Sequence, residues 1–136
     1  MATMVLANEG KLAKLLQIRE SVAYATPYTN NYTPVVTSVF SDFAPPPVRP
    51  YTALSWTTEA IVGGQGVLVS QSFKFGPGST SGTWAEPFPK TIYGYFVQLL
   101  GFGQGYEIFG AVRFGSPVEI ANSTDEITRT LTLVIP

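Results

Sequence analysis

The sequence predicts a mostly β fold: a single-domain β-sandwich or jelly-roll-like barrel of about seven or eight antiparallel strands, with a short N-terminal helix. Three observations predict it. Several runs alternate with the period of a pleated strand, the clearest placing Val67, Val69, Gln71, Phe73 and Phe75 on one face and Leu68, Ser70, Ser72 and Lys74 on the other. Turn residues, chiefly Gly, Pro and Asn, punctuate those runs at short intervals. At 136 residues the chain is of a size for which one hydrophobic core is the expected solution. The division is an N-terminal helical arm, 1–20, and a β-sandwich domain, 21–136.

The helix is predicted over residues 8–19. Leu12 and Leu16 stand one turn apart with Lys11 and Lys14 on the opposite side, while Gly10 weakens the first turn by about 1 kcal/mol. So narrow a stripe suits a helix lying outside a sheet or on a neighbouring subunit. From Val22 the period becomes two, through Tyr24 and Thr26, until Pro27 limits the strand. Asn30, Asn31 and Pro34 are loop chemistry, and residues 37–43 can make one helical turn capped by Thr37. The proline-rich stretch 44–50, with Pro46 at its centre, forces extended backbone and reads as a spacer.

A strand is expected over 51–61, reversed by Gly63-Gly64-Gln65-Gly66 into the strand 67–75. The Gly- and Pro-rich run 76–89 is the longest loop and carries Trp84 and Phe88, and Trp84 either docks on a partner or caps the domain's own core. Residues 90–100 read as a central strand because both faces are apolar, and Gly101 to Gly105, with Phe102 at the tip, turns them into a hairpin with 106–114. Two final strands, 117–121 and 126–135, flank the polar turn 122–125, and Ile127, Leu131, Leu133 and Ile135 share a face with Arg129.

Composition narrows function. Charged residues are 12% of the chain, about half of what an ordinary soluble domain carries. The exterior is therefore neutral and adhesive, the composition of buried interface cores, where desolvating a charge is unfavourable. The eight basic residues are scattered and net charge is −1, so no phosphate-binding face forms. Cysteine and histidine are absent, which removes thiolate metal sites, disulfides, and the commonest general base and metal ligand. Glu86, Glu107, Glu119, Asp125 and Glu126 show no pairing at motif spacing, and the Gly-rich turns neither open a helix nor precede Lys-Ser or Lys-Thr. Residues 122–126 gather oxygens but fit an ordinary turn better than a calcium loop. No enzyme activity, cofactor, metal or nucleic acid is expected. No stretch of about 18 apolar residues exists to span a membrane, and the N-terminus has no signal-like apolar run, so synthesis in the cytoplasm without secretory processing is expected. The contact candidates are Leu12, Leu16, Pro46, Trp84, Phe88 and Phe102.

Four segments carry a resemblance. With Thr29-Asn30-Asn31-Tyr32-Thr33-Pro34, Ser55-Trp56, Ile92-Tyr93-Gly94-Tyr95-Phe96-Val97, and Arg113-Phe114 with Pro117, the chain resembles, over nearly its full length, small structural proteins of tailed bacteriophages. The resemblance implies a virion component without catalytic residues, made in the host cytoplasm. Within a virion, a chain of this size is expected to be a capsid decoration or cement protein, a homotrimer seated on the major capsid protein or another virion protein. The helix, the 44–50 spacer and the aromatic loops would make the contacts. The alternative is a tail or fibre module that binds host-surface glycan through Trp84, Phe102 and tyrosines.

Overall fold

A computed structural model describes residues 2–46, 50–77, 84, 88–100 and 108–136. Among these residues the chain forms one α-helix, α1 (Asn8–Arg19), and nine strands. They are β1 (Ala23–Tyr28), β2 (Thr52–Leu54), β3 (Ala60–Val62), β4 (Gln65–Val69), β5 (Phe73–Phe75), β6 (Lys90–Leu99), β7 (Gly110–Ile120), β8 (Ile127–Arg129) and β9 (Thr132–Ile135). Three antiparallel sheets result, ordered β2-β1-β6-β7, β3-β4-β9 and β5-β8. The protein is mostly β and sandwich-like, as its sequence predicts.

Two of the sheets are one ladder interrupted by an extra residue. Val69 lies opposite Thr132 and Phe73 opposite Arg129, so four steps along one strand match three along its partner. A bulge of this kind reverses which side chains face inward. Leu68 and Ser70 are buried before it, and Phe73 and Phe75 after it. The expected shared face of Val67, Val69, Gln71, Phe73 and Phe75 is thereby corrected, because the pleat changes phase midway. Ser70 secures the break: its N–H donates to the Leu131 carbonyl and its Oγ accepts from the Leu131 N–H, both at 2.8 Å. The strand expected over 51–61 breaks at the same level, β2 joining β1 and β3 joining β4, with Trp56 bridged to Ser70 between them. Gly63 and Gly64 make the reversal at φ of 57° and 78°, which side chains disfavour.

The strand β6 is central, paired with β1 on one side and β7 on the other. Its inner face meets the main core with Ile92, Tyr95, Val97 and Leu99, and its outer face turns Phe96 onto Tyr28 and Phe43 in a second aromatic cluster. Pro117 does not open a separate strand. It lies within β7, where a register shift carries pairing from Ile92–Val118 to Gly94–Arg113, and the surplus residues loop out around Gly115.

Burial pushes the Tyr95 hydroxyl up to about 12, with the Arg129 guanidinium opposing the shift. A folded value above the ordinary 10.0 means that ionisation favours unfolding. Stability is expected to be unaffected by this group below pH 10 and to fall as pH rises toward about 12. Urea midpoints measured across that window should decline less for Tyr95→Phe than for the parent.

Helix α1 does not lie free on the surface. It packs on β4 and β3 and sends Leu15 and Ile18 into the main core, one helical turn apart. Gly66 permits the approach: a Cβ there would stand 3.0 Å from Leu15 Cδ1 and 3.1 Å from Lys11 Cβ. Lys11 Nζ donates to the Gly64 carbonyl at 2.7 Å, and Arg19 Nε pairs with Glu59 at 2.6 Å, fixing both ends of the helix against the β3–β4 hairpin.

Candidate docking surface

The predicted contact residues that are described, Leu12, Leu16, Pro46, Trp84 and Phe88, are all buried or half-buried. Trp84 is 5% exposed and sits in the main core, which decides between the two readings of its loop in favour of internal packing. Pro46 is fully buried, so the chain is anchored at that point of the expected spacer. Phe88 is half-buried against the core with Lys90 Nζ 5.9 Å from its ring centre. Leu12 and Leu16 are half-buried on a helix whose inward pair is Leu15 and Ile18. Phe102 lies outside the described residues.

The segments that carry the resemblance have structural work. Asn30 ties its loop shut, its Nδ2 donating to the Asp42 carbonyl at 2.8 Å and its Oδ1 accepting from the Ala44 N–H at 2.9 Å. Tyr32 reaches Ser38 through its hydroxyl at 2.6 Å, and Tyr28 donates to the Tyr32 carbonyl at 3.0 Å. The helical turn expected over 37–43 is a single 3₁₀ turn, Phe40–Asp42. Its cap is the Asp42 carboxylate, which accepts from the Val39 N–H at 2.8 Å, in place of Thr37. This loop covers the outer face of β1 and β6 with Phe40 and Phe43.

Arg113 leans over the Tyr93 ring, 5.6 Å from its centre, and donates from Nη2 to Asn31 Oδ1 at 2.6 Å. Its Nη1 and the Trp56 Nε1 are buried polar atoms without a partner among the described residues. Burial raises the Tyr28 hydroxyl above its ordinary value, and the Arg113 charge works against that.

Two features missed in the sequence are exposed, apolar and uncharged. The first is a groove of about 240 Å³ between β7 and β9, lined by residues 109–112, residues 131–134 and Val97. Both strands are sheet edges among the described residues, so each offers backbone groups on its outer side. Phe109 and Val134, 45% and 44% exposed, stand in its lining. The second is the N-terminal arm, where Met4 and Val5 are each 87% exposed. Val35, Val36 and Val39 add a smaller exposed set beside the 3₁₀ turn. Each element is short and lacks a strong period, so no local pattern marks it; the shared signal is an absence of charge.

Among the described residues no three carboxylates gather to hold a metal ion, and no helix is long and apolar enough to cross a membrane. Asp125 accepts from the backbone N–H groups of Ala121 and Asn122 at 2.7 and 3.2 Å, closing the turn that links β7 to β8. Comparison with protein-family models, with curated proteins and with solved structures finds no match.

Proposed function

We propose that the chain is a non-catalytic structural protein of a virion, a capsid decoration or cement protein that stabilises a shell by covering subunit boundaries with neutral β surface. The observation that supports this most is the uncharged groove flanked by two strands that are sheet edges among the described residues. Surface of that kind, together with an exposed apolar arm, favours association, since apolar area removed from water contributes about 25 cal/mol per Å² before ordering costs. The resemblance to phage structural proteins rests on the four quoted segments alone. Its contact set changes: Trp84 and Pro46 leave it, and the groove and the arm enter it.

The glycan-binding alternative loses its main platform, because a Trp buried in the core offers no face to a sugar. Light scattering at micromolar concentration should give a mass that is a multiple of 14.7 kDa, a trimer in the decoration reading. A clean monomer overturns the oligomeric part. Imaging of intact particles decides location: copy numbers comparable to the capsid subunit support decoration, and a few copies at the tail support the alternative.

A further inference from the structure

We infer that the groove between β7 and β9 receives residues 3–6 of a second copy, which add a strand to the β9 edge. This rests on the reading that the chain works by covering protein surfaces, and it names one such surface and its occupant.

The groove is short of one strand. Among the described residues β7 ends the central sheet and β9 ends another, and residues of both strands line the same cavity. Edges normally carry a charge, a proline or a bulge that blocks addition of another chain. β7 has such protection away from the groove, in Arg113, Pro117 and Glu119. Within β9, Thr132-Leu133-Val134-Ile135, there is none.

The arm has the complementary need. Thr3, Met4, Val5 and Leu6 are uncharged and exposed, and residues 2–6 make no hydrogen bond to the rest of the chain among the described residues. Four residues match the four of β9, and alternate side chains would drop into a lining that carries no charge. No ionic contact is needed on either side, so the match is one of neutral surfaces. The arm's own helix is pinned to the β3–β4 hairpin by Leu15 and Lys11. Residues 2–7 precede that anchor without regular secondary structure and lie exposed, with Ala7 extended where the arm meets the helix. Exchange between copies removes Met4 and Val5 from water and closes the gap between the sheets in one step.

The absence of cysteine makes the test direct. Val5→Cys and Thr132→Cys are prepared as separate full-length variants, mixed, and treated with a short bismaleimide that tolerates either pairing register. The expected product is a covalent pair of about twice the 14.7 kDa chain mass, at least about tenfold more abundant in the mixture than in either variant alone. Val134→Lys on the Thr132→Cys chain sets an ammonium in the groove at a side chain already part-exposed, so folding survives and the crosslink should drop by about the same factor. Folding is verified by circular dichroism. A mixture no richer in crosslink than the separate variants overturns the inference, as does a chain carrying both Val5→Cys and Thr132→Cys that links only within itself. If light scattering still reports an oligomer then, only the arm assignment has failed; a monomer with no crosslink overturns the broader reading as well.

Discussion

Trp84→Ala is expected to lower the unfolding free energy by about 3–5 kcal/mol, the range for removing a large buried aromatic. The side chain belongs to the main core, with Tyr95, Phe114 and Ile127 among the other members of that cluster. Its loss leaves a cavity that the surrounding core can only partly close. Urea denaturation should show a lower midpoint at unchanged slope. The opposite outcome is equally sharp. If stability moves by less than about 1 kcal/mol while association weakens, the residue acts at a contact surface and its assignment to the core is wrong.

Gly94→Ala is expected to be comparably severe. A Cβ at that position would overlap the Val112 carbonyl oxygen and stand 2.8 Å from the Tyr28 hydroxyl. The backbone oxygen cannot move without breaking the β6–β7 ladder at its bulge, so strain cannot be relieved by a rotamer change. The expected loss is at least about 3 kcal/mol, a fall in melting temperature of roughly 10 °C. Gly110→Ala is the control in the same ladder, since no described residue lies within 4 Å of its Cβ position. There the change should stay within about 0.5 kcal/mol. Equal effects at the two glycines would show that loss of backbone freedom, and not the close approach of Tyr28 and Val112, governs both.

Much of the scaffold is legible in the residues. The helix bounds follow from Leu12, Leu15 and Leu16 with flanking lysines, and the central place of β6 follows from apolar residues on both its faces. The Gly63-Gly64 reversal is chemically explicit, because positive φ selects glycine. The bulge at Ser70 is not legible. One added residue leaves composition unchanged, and its trace is only that Phe73 and Phe75 fall out of phase with Leu68. Trp84 was ambiguous for a different reason: a Gly- and Pro-rich run says that regular structure ends, but not whether the chain then turns inward. The groove's walls, residues 109–112 and 131–134, lie along strands of different sheets, so no local pattern joins them.

The pairing of β1 with β6 has a further consequence. Ala23 lies against Leu99 and Tyr28 against Gly94, so an early segment waits for one made much later. During synthesis β1 has only the short β2 as an early partner, and loop closure over the longer span to β6 delays the first stable nucleus. Until β6 leaves the ribosome, one edge of β1 stays open. The nascent polypeptide is thus most vulnerable to clumping or cleavage midway through its translation, and a chaperone would act on it there.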